Sequence, residues 1–493
     1  MSEDAARPLP AGQLLAAPTP GSVAAAPVTS VRAANRGRPS AADGTPEQIH
    51  LTWGNDPARS VVVSWASPGQ AEAPRVRIGQ RVIPATERGY AVGLGGEVSW
   101  TYHALVDGLR PGGTYGYAVT ANNDRNAADP FSATFRTAPQ GRAAFRFTSF
   151  GDLATPNARW ASSSGQSAYA VGAVETFQPL FHLLNSDLAD GDPAPAAQSQ
   201  VWRDFGNNIQ PSAANRPWMP VPGDHGVEYL ARYSLPDNGL PEFAGRWYGF
   251  RIGTVAFICL SGDDVAGAGP PRPPRGYSGG AQTRWLEATL AAARRDSSID
   301  WIVVGLHQCA CSSWPADSEP GLGIRREWLP LFDRYEVDLA LCGHGHGYER
   351  SFPIRGIDSA DTLRPHPVTT TDSGVFDTSQ GTVHLILGCG TDATPDPTAT
   401  AAPADMTESA PWSARTDTAS GYGVAVFDVN PGAEAGGQTS ITVRYYHAVD
   451  ADPAQGIPTD DYVLFETFTV VRPRSDGRRW HPKEPPSARR ATA

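Results

Sequence analysis

The pattern of apolar and polar residues changes near residue 140 and divides the chain into two parts. Between residues 46 and 139, short runs alternate apolar and polar side chains, as in SVVVSWAS (60–67) and TYGYAVT (114–120), with polar or Gly-rich turns between them. Alternation with a period of two is typical of half-buried strands, and closely spaced turns favour an antiparallel sheet. The first part therefore predicts a small β-sandwich.

Beyond residue 143, longer apolar runs alternate with segments of helical periodicity. The runs that predict buried strands are FRFTSFGD (145–152), LFHLLNSD (180–187), RPWMPVPGD (216–224), WIVVGLH (301–307) and VDLALCGHGH (337–346). Segments 283–295 and 324–336 place apolar residues at helical spacing. Alternating strands and helices predict an α/β domain with helices covering the sheets.

The two ends of the chain lack such patterning. Residues 1–45 are rich in Ala, Pro and Gly and predict a flexible leader, and residues 471–493 predict a solvated basic, Pro-rich tail. We therefore expect a sandwich at 46–139 and a second domain at 143–470. No basic segment followed by an apolar core opens the chain, so no signal peptide is recognisable and the localisation stays open.

Composition and charge narrow the classes of function. The chain of 493 residues has a formal net charge of −11, which argues against nucleic acid as the main partner. It has no apolar run of about 18 residues, so no membrane span is expected. Its five cysteines form no CxxC motif and are expected to be buried apolar residues with at most one disulfide.

Each of the five predicted strands in the second part ends on side chains that bind metals. These are Asp152, Asp187, Asp224 with His225, His307, and His344 with His346. Ligands collect at the carboxyl ends of strands in α/β sheets, and carboxylates with imidazoles suit Fe, Mn or Zn. Any one of these residues has an ordinary structural explanation, such as a turn or a cap. The full set predicts a metal site, in which the glycines of the GHGH segment let the backbone aim both imidazoles inward.

The motifs around these residues resemble those of the metallophosphoesterase, or calcineurin-like, superfamily. They are FGDL (150–153), NSDLAD (185–190), GDHG (223–226), His307 and GHGHGYER (343–350). The preceding sandwich and the YER ending are similar to purple acid phosphatases in particular. The resemblance implies an α+β/β fold: a fibronectin type III-like β-sandwich followed by a four-layer α/β/β/α metallophosphoesterase domain.

The resemblance also implies a role for each site residue. Asp152 and His346 would hold a first metal, Asp187 would bridge both metals, and the second metal would take Asp224, His307 and His344. His225 would contact the phosphate or protonate the leaving group. Arg350 would contribute to substrate binding, with a structural ion pair as the equally weighted alternative.

The implied reaction is the hydrolysis of small phosphate monoesters, as in acid phosphatases. Two metal ions, a pair of Fe, Mn or Zn that the sequence leaves undetermined, would support in-line attack of a metal-bound hydroxide. Relatives are often exported, which makes an extracellular or cell-envelope location an expectation from resemblance alone.

The chain departs from the family pattern at several positions. Asp190 stands where purple acid phosphatases have a metal-binding Tyr, and the resulting GDxxD pattern is that of Ser/Thr phosphatases. There the second Asp orients the His of the next motif, so Asp190 is expected to pair with His225 and raise its pKa. Direct metal ligation by Asp190 and a merely solvated carboxylate are the alternatives.

Two further departures concern the metals. Ala154 supplies no His at the first motif, so we expect weaker occupancy of the first site. Asp224 replaces the usual Asn and Gly226 the usual acid. The added carboxylate should hold the second metal more tightly and attract phosphate less, which predicts reduced turnover.

Two other functions compete with a phosphomonoesterase. A phosphodiesterase would use the same two-metal arrangement. A degenerate, non-catalytic metal-binding or surface protein is favoured by the altered motifs and by the capacity of a β-sandwich for adhesion. The presence of all five carboxylate and His motifs favours catalysis.

The missing Tyr gives the first testable prediction. The colour of purple acid phosphatases comes from a phenolate bound to ferric iron, and Asp190 has no phenolate. We expect the iron-loaded protein to lack a visible phenolate-to-iron charge-transfer band. An absorption spectrum of the iron-loaded protein tests this, and such a band would refute it.

Overall fold

The computed structural model describes most of the chain between residues 43 and 482. The described residues are 43–92, 97–153, 167–186, 188, 198–223, 226–266, 276–313, 323–357, 363–390, 410–417, 420–448, 462–477 and 479–482. None of the helices in these ranges is long and apolar enough to cross a membrane.

The first part of the chain folds into two antiparallel sheets. Its strands are β1 (Glu47–Trp53), β2 (Val61–Ser67), β3 (Arg75–Ile78), β4 (Arg81–Pro84), β5 (Thr86–Val92), β6 (Glu97–Val106), β7 (Thr114–Thr120) and β8 (Phe131–Arg136). Among the described residues, the orders are β1-β2-β6-β5 and β4-β3-β7-β8. One apolar cluster contains side chains from both sheets, including Trp65, Tyr102, Val119 and Phe135. The alternating pattern of residues 46–139 is thus that of an N-terminal β domain, as predicted.

The second part contains two larger mixed sheets. Its first strands are β9 (Phe145–Phe150), β10 (Phe181–Leu184), β11 (Trp218–Pro220), β12 (Tyr248–Ile252), β13 (Val255–Cys259), β14 (Trp301–Leu306), β15 (Leu339–Cys342) and β16 (Tyr348–Ser351). They are followed by β17 (Ile354–Ile357), β18 (Pro365–Pro367), β19 (Val375–Asp377), β20 (Val383–Leu387), β21 (Ser413–Asp417), β22 (Val424–Asn430), β23 (Gln438–Ala448) and β24 (Tyr462–Pro473).

Within the described ranges, the first large sheet has the order β11-β10-β9-β22-β23-β24-β19 and the second the order β12-β13-β14-β15-β20-β16-β21. Strands β17 and β18 form a separate ribbon. Neighbours β9, β10 and β11 are parallel, and so are β13, β14, β15 and β20. The remaining neighbours are antiparallel, apart from β19 beside β24.

Within the described residues, the α-helices of six or more residues in this part are α1 (Ser167–Phe177), α2 (Gln198–Ala213), α3 (Gly226–Arg232), α4 (Ala281–Arg295) and α5 (Leu329–Arg334). Helix α4 confirms the prediction for 283–295. The segment predicted at 324–336 contains α5 and an earlier helical turn, separated at Trp328. Pro330 explains the break, because proline has no amide hydrogen to donate to the preceding turn.

Strand alternation separates two apolar layers around the second sheet. In β13, Val255 and Phe257 belong to a cluster that also contains residues of the first large sheet, such as Phe147. The Phe147 and Phe257 rings meet edge to face, 5.2 Å apart. Ala256 and Ile258 belong instead to a cluster with residues of α4 and α5. Successive side chains of a strand point to opposite faces of its sheet. A strand in a sheet that is covered on both faces therefore has apolar side chains at successive positions.

The C-terminal boundary differs from the prediction of a solvated tail from residue 471. Strand β24 extends to Pro473, and Arg472 is fully buried. The Arg472 guanidinium bonds to Asp338 and lies 3.0 Å from Glu336. A charge in the interior is stable only when it is paired, and both acids precede β15 in the core. Because the segment is basic, the sequence did not indicate that it begins with the end of a strand. The arginine of that strand end, Arg472, neutralises buried carboxylates.

Because His384 in β20 is buried, we expect the free energy of unfolding to fall in acid. Both ring nitrogens are buried without a hydrogen-bond partner among the described residues, and burial lowers the His384 pKa to about 3. The unfolded chain takes up this proton near pH 6.5, so the folded state binds fewer protons from there down to about pH 3. Between pH 7.5 and 5 this group alone should lower the free energy of unfolding by about 2 kcal/mol.

Urea unfolding of the wild type and of His384→Leu at both pH values tests this. The variant should lose about 2 kcal/mol less stability on acidification than the wild type. The matched control is His366→Leu, at an exposed histidine, which should behave as the wild type. Equal pH dependence of His384→Leu and wild type would contradict the prediction.

Candidate functional site

The predicted site lies where the carboxyl ends of strands from both large sheets meet. Parallel strands end at the same edge of their sheet, so Asp152 after β9 and Asn185 after β10 share one edge. His307 after β14 and the GHGH segment after β15 share the corresponding edge of the second sheet. This is the convergence expected from strand ends that stop on polar residues.

Backbone hydrogen bonds join the two edges. The Gly151 amide donates to the Leu387 carbonyl at 2.7 Å, and the Gly390 amide donates to the Gly151 carbonyl at 2.9 Å. The Asp152 amide donates to the Ser186 carbonyl, and the Gly343 amide to the His307 carbonyl, both at 3.1 Å. These bonds hold the loops after β9, β10, β14, β15 and β20 in one assembly.

Asp152 occupies the centre of this assembly. Its side chain is buried and its backbone has φ of 57°, in the left-handed region that a non-glycine residue rarely adopts. Both carboxylate oxygens accept the backbone amide of His344, at 3.1 and 2.9 Å. His346 Nε2 lies 3.8 Å from Asp152 Oδ1. The carboxylate is therefore oriented by the loop that carries the two histidines.

The three predicted histidines lie near this carboxylate, and His307 Nδ1 and Asp152 Oδ2 both border Gly343. The rings of His307 and His344 meet nearly at right angles, with centroids 5.0 Å apart. His307 is buried, whereas the His346 side chain is 32% exposed. The cluster thus has a buried interior and one side that is open to solvent.

The bend that presents the histidines differs from the expected one. The glycines were expected to turn the GHGH segment, but the left-handed residue is His344 itself, with φ of 69°. The Gly345 amide donates to the Gly343 carbonyl at 2.9 Å, which closes a three-residue turn around His344. Such a conformation costs about 1–3 kcal/mol and is characteristic of functional sites.

The glycines instead permit close packing, which the motif analysis missed. A Cβ on Gly343 would lie 2.4 Å from the Asn185 carbonyl oxygen and 2.6 Å from Asp152 Oδ2. A Cβ on Gly388 would lie 2.2 Å from the Gly345 oxygen and 2.9 Å from Asp152 Oδ2. The loop after β20 is therefore a wall of the site. Its only sequence signal is the Gly-Cys-Gly that follows an apolar strand.

The cysteines near the site are structural. Burial raises the pKa of Cys389 to about 12, so its thiol stays neutral beside Asp152. Cys309 donates to the Gly343 carbonyl at 3.1 Å. All five cysteines are described, buried and free, so the single disulfide allowed by the sequence is not formed.

Several predicted residues lie outside the described residues. They are Asp187, Asp190, Asp224 and His225, together with the position of the missing first-motif histidine, Ala154. Among the residues that the structure does describe, no group of three or more His, Cys, Asp and Glu side chains is arranged to hold one metal ion.

The residues present are nevertheless chemically suited to a metal. Two donors about 2.1 Å from one cation lie at most about 4.2 Å apart, and Asp152 Oδ1 and His346 Nε2 satisfy this limit at 3.8 Å. Next to Asp187 in the sequence, Asn185 Oδ1 and Ser186 Oγ are buried without a hydrogen-bond partner among the described residues. One carboxylate with three imidazoles is a donor set that fits Fe, Mn or Zn.

Arg350 is placed as a structural ion pair, the alternative to the predicted substrate contact. Its side chain is fully buried and bonds to Glu466 at 2.6 Å and to Asp372 at 2.7 Å. The guanidinium lies about 5 Å from the ring centroids of Phe376 and Phe468. The guanidinium is buried and its charge is already paired with two carboxylates, which is why it is assigned to structure and not to phosphate binding.

Comparisons with known proteins agree with this architecture. Residues 46–138 match the family model described as the N-terminal domain of purple acid phosphatase. The uncharacterized protein Rv2577 of Mycobacterium tuberculosis is 38% identical over 476 residues, covering 86% of this chain and 87% of the relative. The Fe(3+)-Zn(2+) purple acid phosphatase 12 of Arabidopsis thaliana is 24% identical, covering 64% of this chain and 66% of the relative.

Solved structures share the fold. The purple acid phosphatase PPD1 from yellow lupin seeds aligns with a TM-score of 0.60 at 18% identity, over 88% of this chain and 75% of that chain. The structure of PhoD aligns with a TM-score of 0.57 at 11% identity, over 90% of this chain and 94% of that chain.

The Arg350 ion pair predicts a loss of stability on substitution. Arg350→Met leaves the buried Glu466 carboxylate without its main counter-ion and should lower the free energy of unfolding by about 3–5 kcal/mol. The matched control Arg444→Met breaks a pair whose side chains are about one-third exposed, and should cost about 1 kcal/mol or less. Urea unfolding of both variants checks this, and wild-type stability of Arg350→Met would contradict it.

Proposed function

The chain belongs to the purple acid phosphatase family, and from that premise we propose that it is a metal-dependent phosphoesterase that hydrolyses small phosphate monoesters at a two-metal site. The proposal is supported by one observation: Asp152, His307, His344 and His346 lie together where the carboxyl edges of the two large sheets meet. The topology explains why these strand ends meet, and a shared metal site explains why each of them carries a metal-binding side chain.

In this proposal each site residue takes the role implied by its motif. Asp152 and His346 would hold one metal, Asp187 would be shared by the two metals, and Asp224, His307 and His344 would hold the second. The pair, chosen among Fe, Mn and Zn, would lower the pKa of a bound water and neutralise charge on the phosphoryl oxygens. The His344 amide fixes the Asp152 carboxylate before any ligand binds.

Proton transfer is assigned to residues that follow the strand ends. His225 contacts the phosphate and protonates the leaving alkoxide, a task that suits imidazole near neutral pH. Asp190 orients His225 and favours its protonated form. Arg350 is left out of substrate binding because its guanidinium is already bound by two carboxylates.

The same proposal extends to the architecture. We assign a fibronectin type III-like sandwich to residues 46–139 and a four-layer α/β/β/α arrangement to the second domain, which was predicted at 143–470 and whose strand β24 extends to Pro473. The two four-stranded sheets with a shared core support the first assignment. The apolar clusters on both faces of the second large sheet support the other.

Metal analysis and hydrolysis measured on the same samples test the function. Protein purified without chelator is analysed for its metals and assayed on chromogenic phosphate monoesters and diesters, before and after chelation and with Mn, Fe or Zn added back. We expect bound metal, monoester hydrolysis that chelation abolishes, and recovery with at least one of the metals. The variant His346→Asn should lose metal and at least about tenfold in turnover, because it removes one ligand.

The matched control is His366→Asn, at an exposed histidine of β18, which should keep wild-type metal content and turnover. A preference for diesters would instead identify the protein as a phosphodiesterase. Bound metal without turnover of any phosphoester would contradict catalysis and favour a non-catalytic metal-binding protein, which the departures at Ala154, Asp190 and Gly226 make the second candidate.

A further inference from the structure

The C-terminal end of helix α3 lies against the N-terminal β domain. In sequence, α3 (Gly226–Arg232) begins directly after Asp224 and His225. The last carbonyls of a helix have no partner within the helix and need donors from elsewhere. Here strands β2, β5 and β6 of the N-terminal domain contact α3, and side chains of β1, β5 and β6 supply those donors.

His103 of β6 makes the best-defined of these contacts. Its Nε2 lies 2.8 Å from the Ala231 carbonyl oxygen, and its Nδ1 lies 2.8 Å from the Ser64 hydroxyl. Burial holds the pKa of His103 well below its usual value, so the ring is neutral and carries one hydrogen. Since the carbonyl can only accept, that hydrogen is on Nε2, and the Ser64 hydroxyl donates to Nδ1.

Three more side chains of the same domain reach the neighbouring carbonyls. Arg88 donates to the carbonyls of Leu230 at 3.3 Å and Tyr233 at 3.2 Å, which places a positive charge at the negative end of the helix dipole. Thr101 Oγ1 lies 3.1 Å from the Ala231 oxygen, and His50 Nε2 lies 3.2 Å from the Arg232 oxygen. Side chains of the N-terminal domain thus cap four successive carbonyls at the C-terminal end of α3.

The helix also reaches back into the N-terminal domain. Arg232, its last residue, is buried, and its guanidinium donates to Gln48 and, at 3.4 Å, to Ser99. Its Nε lies 3.7 Å from the Glu228 carboxylate, one turn earlier in α3. The helix end therefore accepts hydrogen bonds from the N-terminal domain and also donates to it. The sheet β1-β2-β6-β5 sets the orientation of this helix end.

We propose that the N-terminal domain fixes the orientation of α3, the helix that directly follows Asp224 and His225 in the sequence, with His103 and Arg88 as positioning residues. This rests on the proposed function, in which Asp224 and His225 serve the metal and the leaving group. A helix of this length is about 10 Å long and moves as one body, so a tilt at its capped end is transmitted to its first residue, Gly226. Displacements of about 1 Å are enough to cost a hundredfold in rate.

Two variants remove the caps, and two others serve as rescue and control. His103→Leu deletes the ring donor, and Arg88→Met deletes the guanidinium. His103→Gln keeps an N–H near the position of Nε2. Arg81→Met removes an arginine that donates at 2.8 Å to the Asp107 carbonyl in the same domain, away from α3.

Three readouts are compared. Hydrogen–deuterium exchange of residues 226–233 is measured on the metal-free protein. Calorimetric titration gives the affinity for Mn²⁺ or Zn²⁺, and p-nitrophenyl phosphate gives kcat and KM.

In His103→Leu and Arg88→Met we expect exchange of the α3 amides to rise about tenfold, the equivalent of one lost buried hydrogen bond. Metal affinity should fall, and kcat should fall about tenfold while KM changes less than about twofold. His103→Gln should recover most of each effect, and Arg81→Met should match the wild type.

Unchanged α3 exchange in both variants would overturn the inference, and so would faster exchange with wild-type metal affinity and kcat. A wild type that binds metal but hydrolyses no phosphoester would refute the proposed function alone, since exchange and metal affinity would still decide whether the N-terminal domain fixes the orientation of α3. A wild type that binds no metal would overturn both.

Discussion

The structure depends on the junction between the carboxyl edges of its two large sheets. A few backbone hydrogen bonds make this junction, chiefly those of Gly151 with Leu387 and Gly390. Glycine is required because any side chain at Gly151, Gly343 or Gly388 would collide with a backbone atom of a neighbouring loop, and at Gly343 that loop belongs to the other sheet. The same close approach places Asp152 beside His344 and His346. The contacts that pack the two sheet edges together therefore also set the geometry of the site.

The sequence predicted the elements that carry strong periodicity. Strands β9, β10, β14 and β15 were found because each is a continuous apolar run that ends on Asp or His. Their convergence followed from the rule that parallel strands end at one edge. In the structure Asp152 lies beside His344 and His346, and the His344 ring contacts that of His307; the roles assigned to these residues are proposals.

Other features have no local sequence signal. Arg472 looked like part of a solvated tail, and only the buried acids near β15, more than a hundred positions away, explain its place in the core. Arg350 likewise depends on Glu466 from β24. The caps that His103 and Arg88 place on α3 join residues over a hundred positions apart. Side chains that act by long-range pairing cannot be assigned from spacing.

The central claim is that the two sheet edges assemble a pair of metal ions. Anomalous X-ray scattering from crystals of the metal-loaded protein measures this directly. The account predicts two peaks about 3.5–4 Å apart, one beside Asp152 and His346 and the other beside His307 and His344. An absence of peaks at this junction, or peaks only at other places, would contradict it.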